Sequence, residues 1–271
     1  MTSVPNFSPI YGLARKASLC EEVLNRMPSA RPAPTIIAIA GGTASGKTTL
    51  CRKIVDMLGL EKSRVAIISQ DSFYKVLSEE ERNLLKQGLY NFDSPDAFDK
   101  PLFIDTLARL REGKAADIPT YDYTTSSRAP QVTRVELVEC VLVEGILTLA
   151  PEYVHLYDMK LFVDTDSDVR LARRIRRDTA ERGRSVESVL TQYITHVKPS
   201  YDQYVKPCKR HADLVIPWGA ENKVAVKLIT RQIQHVLNAG SLSRTVPERA
   251  ASRSSHSSVS DDPVDIAGEF F

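Results

Sequence analysis

The run Gly41-Gly-Thr-Ala-Ser-Gly-Lys-Thr48 constrains this chain more than any other stretch of it. It satisfies the spacing Gly-x-x-x-x-Gly-Lys-[Ser/Thr], follows the apolar run Ile36–Ala40, and opens a segment in which Leu50, Ile54 and Leu58 recur at four-residue steps before Gly59. Strand, glycine-rich loop and helix in that order make a phosphate cradle. Small residues let backbone N–H groups turn inward around phosphate oxygens, and the helix N-terminus adds its positive dipole end. Lys47 is then expected to reach the β- and γ-phosphates, and the Thr48 hydroxyl to take a Mg2+ coordination position. Gly41, Gly42, Thr43, Ala44, Ser45, Gly46 and Thr49 complete the expected nucleotide contact. A ligand-free connecting turn is the competing explanation, and it is weakened because motif and context agree.

Four further apolar runs follow: Val65–Ser69, Glu139–Val143, Leu161–Asp164 and Leu214–Pro217. Near-continuous rather than alternating hydrophobicity implies burial on both faces, as in a parallel sheet covered by helices. Leu171 and Ile175 are expected on the core side of one intervening helix, and Val224, Leu228, Ile233 and Leu237 on that of a last one. The spacing predicts an α/β fold of the P-loop NTPase type: an open, parallel, five-stranded sheet with flanking helices. Between Asp117 and Leu137, polar and apolar residues alternate around Ser126-Ser-Arg-Ala-Pro130, which predicts a β-hairpin projecting from the sheet, placed to close over a ligand. The ordered domain is expected over 35–240. Residues 1–34 carry five prolines and predict a flexible or weakly ordered segment, with a short amphipathic helix over Leu13–Met27. Residues 241–271 are expected to be disordered, because 241–262 hold almost nothing apolar. No internal repeat stands out.

Composition excludes several function classes. With 36 Lys and Arg against 34 Asp and Glu, the net charge is +2, too small for broad electrostatic capture of nucleic acid. No apolar run approaches the roughly 18–20 residues that span a bilayer. Cys20, Cys51, Cys140 and Cys208 share no metal-ligand spacing and read as reduced thiols. Without a signal or transit pattern, the expected location is the cytoplasm.

A phosphate cradle does not fix the reaction. A GTPase needs Asn-Lys-x-Asp, and the nearest string, Asn222-Lys-Val-Ala225, lacks the aspartate. Mechanical ATPases carry paired carboxylates after a later strand, whereas Val141-Leu-Val143 ends in the single Glu144. A small-molecule kinase remains. Glu144 and Asp71 each end a strand at the rim where the loop lies, so Glu144 can help hold Mg2+ and Asp71 can deprotonate an attacking hydroxyl. Either alone could equally be a solvated strand end or a helix N-cap; together they favour chemistry. In Val169-Arg-Leu-Ala-Arg-Arg-Ile-Arg-Arg-Asp178, the residues Arg170, Arg174 and Arg177 share one helical face and can clamp phosphoryl oxygens, though a solvated basic face has the same pattern.

Over about 35–240 the chain closely resembles the uridine–cytidine kinase family. Ser69-Gln-Asp-Ser-Phe-Tyr74, Asn91-Phe-Asp93, Pro95-Asp-Ala-Phe-Asp99, Tyr121-Asp122, Glu144-Gly-Ile-Leu147, Phe162-Val-Asp-Thr165, Glu181-Arg-Gly-Arg184, Gln192-Tyr-Ile-Thr195 and Val197-Lys-Pro199 carry the likeness alongside the loop. The resemblance implies phosphorylation of uridine or cytidine by ATP (or GTP) on the 5'-hydroxyl, with Mg2+, giving UMP or CMP, and a homotetramer. It implies Asp71 as the base, Asp93 and Arg174 on the ribose, Phe92 and Tyr121 at the base, and Arg177, Arg184 and Gln192 on nucleoside and phosphates. An Arg-rich helical lid over 174–184 is part of the same expectation. Three positions depart from the family: Ser126 stands where a histidine usually meets the base, Trp218 where an arginine is frequent, and Glu221 where an aspartate is frequent near the adenine. Trp218 is open to two readings, a stack on adenine or a partly buried surface residue. The rival functions are another P-loop small-molecule kinase and a nucleotide-binding regulator without turnover.

Overall fold

The computed structural model describes residues 33–59, 64–136 and 138–242. Strands β1 (Thr35–Gly41), β2 (Val65–Ser69), β5 (Cys140–Gly145), β6 (Met159–Asp164) and β7 (Leu214–Pro217) form one sheet in the order β2-β5-β1-β6-β7. All four pairings are parallel. These strands coincide with the five apolar runs. Central β1 and β5 are buried almost throughout, while edge strands β2 and β7 are not, since each lacks a neighbour on one flank. Order reverses around β1, so the crevice beyond its C-terminal end lies at the switch point of the sheet. β3 (Ala116–Asp122) and β4 (Ser127–Val135) form a separate antiparallel pair. The chain reverses over 123–126, ahead of the expected polar centre, so that Ser127–Pro130 belongs to β4. The helix expected over Leu13–Met27, most of both tails and Cys20 fall outside the described residues.

Alternate residues of the central strands feed two cores. Ile36, Ala38, Ala40, Val141, Val143 and Phe162 pack with Phe103, Leu107 and Leu110 of α3 (Lys100–Arg111), the helix that follows the exposed α2 (Glu79–Lys86). Ile37, Ile39, Leu142, Leu161 and Val163 pack with Leu50, Ile54 and Leu58 of α1 (Lys47–Leu58). Each such Val, Leu, Ile or Phe side chain removed from water stabilises the fold by about 1.5–3 kcal/mol. As expected, α1 stops at Gly59, whose left-handed φ of 59° carries no Cβ penalty. Cys51, Cys140 and Cys208 are buried free thiols.

Two expected helix faces are corrected. In α6 (Lys223–Leu242) the buried stripe is Val226, Ile229, Ile233 and Leu237, while Val224 and Leu228 are 70% and 59% exposed. The step from Leu228 to Ile233 is five residues and leaves the helical period. In α4 (Ser167–Glu181) Leu171 and Ile175 are only half-buried, and the covered side chains are Arg170, Arg174 and Asp178. This helix docks its ionic edge because the phosphate-loop backbone lies there. Arg170 Nε donates to the Thr165 carbonyl at 3.0 Å, its guanidinium lies 4.0 Å over the Tyr201 ring, and its Nη1 abuts Gly42.

The last connection is one long helical run. It starts as α5 (Val186–Gln192) and passes through two π-helical segments, Tyr193–Val197 and Tyr201–Val205. Pro199 and Pro207 follow them, each four residues beyond the middle of a π segment. Proline lacks the N–H of the normal ladder and its ring strikes the carbonyl four residues back, here Thr195 and Gln203; a wider turn relieves both. The sequence does hold a repeat here, overlooked because it is short: Tyr193-Ile-Thr-His-Val-Lys-Pro-Ser200 against Tyr201-Asp-Gln-Tyr-Val-Lys-Pro-Cys208.

Candidate active site

The loop between β1 and α1 is shaped by its small residues. Gly41 has φ 150°, Ala44 57° and Gly46 98°. A Cβ on Gly41 would stand 2.6 Å from the Val163 carbonyl oxygen. Lys47 is buried, and its Nζ donates to the Gly42 carbonyl at 3.0 Å. Burial pulls the Lys47 pKa down, while Glu144 and Asp71 work against that shift. Thr48 Oγ1 donates to Glu144 Oε1 at 3.0 Å. Burial raises the Glu144 pKa, with Lys47 opposing. A Cβ at Gly42 would meet Arg170 Nη1 at 2.4 Å, with the Tyr201 ring behind it. Overpacking of that kind costs about 1–3 kcal/mol. Gly42→Ala is therefore expected to weaken ATP binding about 10-fold by calorimetry, with the melting temperature showing how much of the strain reaches the fold.

Asp71 sits in a single helical turn, Gln70–Phe73, directly after β2. Gln70 anchors the turn, its Oε1 accepting the Leu147 N–H at 2.9 Å, and Ser69 Oγ accepts the Asp71 N–H at 3.4 Å. Asp71 and Lys47 line one cavity of about 740 Å3, together with Thr43, Ala44, Gly46, Thr48, Thr49 and Glu144. Gly41, Gly42 and Ser45 are buried and stay behind its wall. Tyr123, to which sequence reasoning gave no role, donates from Oη to Asp71 Oδ2 at 2.9 Å. No strand pattern marks it, because Tyr123 stands just past β3, in the turn over 123–126.

Aromatic rings line the far end. Tyr74 lies 5.3 Å from Phe92 and 4.9 Å from Tyr121, Tyr90 lies 4.7 Å from Phe92, and Tyr121 lies 5.4 Å from Tyr123. Tyr74 and Tyr90 were not singled out in the sequence. Asp93 enters this part of the cavity; burial raises its pKa, and the Arg174 guanidinium pulls it back. Its loop is pinned where Asn91 Oδ1 accepts the Asp93 N–H at 3.0 Å and Asn91 Nδ2 donates to Ser200 Oγ at 2.9 Å. Ser126, at φ 52° in the hairpin turn, also lines the cavity beside Tyr121.

Arg174, Arg177, Arg184 and Gln192 line the same space. Asp178, unassigned from sequence, organises them. Its side chain is fully buried, 2.8 Å from Arg177 Nε, 3.3 Å from Arg184 Nη1, 3.6 Å from Arg182 Nη1 and 3.7 Å from Arg174 Nε. Burial alone would raise the Asp178 pKa, but the guanidiniums of Arg177, Arg174 and Arg182 outweigh it and hold the carboxyl below the usual range. Arg184 Nη1 also donates to Gln192 Oε1 at 3.1 Å, and Arg174 Nη1 to Thr43 Oγ1 at 3.1 Å. At the opposite end Glu221 pairs with Arg173, and Trp218 is 63% exposed. Both line the cavity.

No three His, Cys, Asp or Glu side chains gather as a metal cluster among the described residues. The Thr48–Glu144 oxygen pair is the hard donor set present. It fits Mg2+, which uses one or two protein oxygens and fills its remaining positions with water and phosphate. No helix of the described residues is long and apolar enough to cross a membrane.

Comparison with known proteins places the chain in a family. The model of the phosphoribulokinase / uridine kinase family matches residues 36–225. Uridine-cytidine kinase 2-B of Danio rerio is 47% identical over 213 residues, covering 76% of this chain and 82% of its own. Uridine-cytidine kinase B of Dictyostelium discoideum is 50% identical over 206 residues, covering 76% and 83%. Among solved structures, D-glycerate 3-kinase from Cryptococcus neoformans superposes with TM-score 0.52 at 16% identity, over 77% of this chain and 96% of its own. Phosphoribulokinase from Rhodobacter spheroides gives 0.52 at 17% identity, over 69% and 70%. These two show the shared fold alone.

Proposed function

The chain belongs to the phosphoribulokinase / uridine kinase family, and from that membership we propose that it phosphorylates uridine, cytidine or both on the 5'-hydroxyl at the expense of ATP. The observation that best supports this is one cavity lined at one end by the phosphate loop, in its middle by Asp71, and at the other by Asp93 and an aromatic box. Asp71 takes the proton of the 5'-hydroxyl as the hydroxyl oxygen bonds to the γ-phosphorus, the bond from that phosphorus to the β,γ-bridging oxygen breaks, and ADP leaves. Lys47, held at the loop by the Gly42 carbonyl, compensates charge on the β- and γ-phosphates. Thr48 and Glu144 would hold Mg2+, which supplies further charge neutralisation on the phosphate oxygens.

Asp93 accepts hydrogen bonds from the ribose hydroxyls, and the Arg174 guanidinium beside it opposes the rise that burial imposes on the carboxyl pKa. Phe92 and Tyr121 flank the base. Arg177 and Arg184 meet the phosphates and, with Gln192, close the nucleoside side, while Glu221 serves the adenine end. The decisive experiment is a nucleoside panel with ATP and Mg2+, scored by product mass. UMP or CMP as the product supports the proposal, and turnover confined to a non-nucleoside alcohol overturns it. A homotetramer, implied by the resemblance, is checked by light scattering.

Ser126 gives a second test. Its hydroxyl is shorter than an imidazole and lines the cavity beside Tyr121, so contact with the base edge passes through water. Ser126→His is expected to change the uridine-to-cytidine ratio of kcat/KM by up to about tenfold, the range of one neutral hydrogen bond. An unchanged ratio and unchanged KM values would show that position 126 does not read the base.

A further inference from the structure

We infer that Tyr123 is a positioning residue, whose hydroxyl fixes the orientation of the Asp71 carboxylate and so aims it at the attacking hydroxyl. The inference rests on the kinase reading above. Its first ground is the 2.9 Å hydrogen bond from Tyr123 Oη to Asp71 Oδ2. A carboxylate accepts at both oxygens, so a donor fixed on Oδ2 leaves Oδ1 free for a second partner.

The second ground is that the phenol is itself held on three sides. Asp122 locks the turn that follows it, Oδ1 accepting the Thr124 N–H at 2.8 Å and Oδ2 the Thr125 hydroxyl at 2.7 Å. Tyr121 packs edge-on against the ring at 5.4 Å. The Arg182 guanidinium covers the ring at 4.0 Å and is paired with buried Asp178 at 3.6 Å. Hairpin, arginine cluster and base are thereby joined through one phenol. Burial and the negative charge of Asp71 push the Tyr123 pKa well up, so the group remains a donor at neutral pH.

Asp71 itself is carried by a short turn with one 3.4 Å hydrogen bond from its own N–H to Ser69, so the side chain owes its aim to a partner elsewhere. Small misalignments of a reacting group are expensive in rate and cheap in binding. Removal of this hydroxyl should therefore lower kcat and leave KM nearly untouched.

Tyr123→Phe keeps the ring, its contact with Tyr121 and its place under Arg182, and deletes only the donor. The expected result is a kcat about 10-fold lower, with KM for nucleoside and for ATP within about twofold of wild type and an unchanged melting temperature. The same change is then made in the Asp71→Asn background, with residual product measured by mass spectrometry. A hydroxyl acting through the carboxylate costs little more once the carboxylate is gone, whereas an equal loss in both backgrounds overturns the inference. Full activity of Tyr123→Phe, or a loss seen in KM alone, overturns it as well. A wild-type chain inactive on every nucleoside would remove the kinase reading and this inference together; an active wild type with an unaffected Tyr123→Phe removes the inference only.

Discussion

Asp71→Asn is expected to lower nucleoside turnover by about 10³-fold while ATP affinity stays within about twofold. Asparagine has the volume of aspartate, and its amide oxygen can still accept from Tyr123 and keep the turn Gln70–Phe73 in place. What it cannot do is receive a proton at neutral pH. The nucleotide contacts proposed above lie with the loop and Lys47, which the substitution does not touch; loss of one negative charge near Lys47 favours the triphosphate. Single-turnover product formation and calorimetric titration of ATP separate the two quantities. Full turnover in Asp71→Asn would remove the base assignment, and loss of ATP binding would make the residue structural.

The second large effect is expected at Asp178. Its side chain is fully buried and faces four guanidiniums. Removing one partner from a buried ionic group costs about 3–5 kcal/mol, because the remaining charges keep their desolvation and lose their compensation. The arginines open onto the cavity and retain some hydration, so the lower end applies. For a domain of this size Asp178→Asn should lower Tm by roughly 6–12 °C. The pH dependence has a definite sign. The folded pKa of Asp178 lies below its unfolded value of about 3.9, so its contribution is complete above that value and is lost as pH falls through the folded pKa. The gap in Tm between wild type and Asp178→Asn should be widest near neutrality and narrow below about pH 4. A gap that stays constant down to acid pH would show that the charge of Asp178 is not what holds the cluster. Turnover should fall too, since Arg174, Arg177 and Arg184 lose their common anchor.

Much of this fold was legible because its strands are simple. Ile36–Ala40 and Val141–Val143 are buried on both faces, so their composition alone marks them. The phosphate loop was legible because backbone geometry demands particular small residues at fixed spacing. The buried face of α4 departs from expectation for a physical reason: the rule that apolar residues face inward assumes an apolar neighbour, and this helix meets the loop backbone and a polar, predominantly cationic cavity instead. Asp178 stayed hidden because one acid among arginines has the same pattern on a solvated helix. Tyr123 stands in the turn beyond β3, outside any strand pattern, and nothing local says that its hydroxyl reaches across 52 residues to Asp71.

The proline-linked π segments settle how a long helix can keep one seam. Along it Val189, Tyr193, Val197 and Val205 are buried, with half-buried Tyr201 completing an unbroken series of four-residue steps. In an ordinary α-helix of 3.6 residues per turn each such step overshoots by about 40°, so four of them would carry the seam almost to the opposite side. The two widened turns absorb the surplus. The flank that carries His196 and Ser200 touches the Gly88 carbonyl and Asn91, next to Asp93, and the adjoining seam braces the phosphate loop through Tyr201 under Arg170. One rigid spar spans both halves of the cavity, and its two prolines keep the gauge between them.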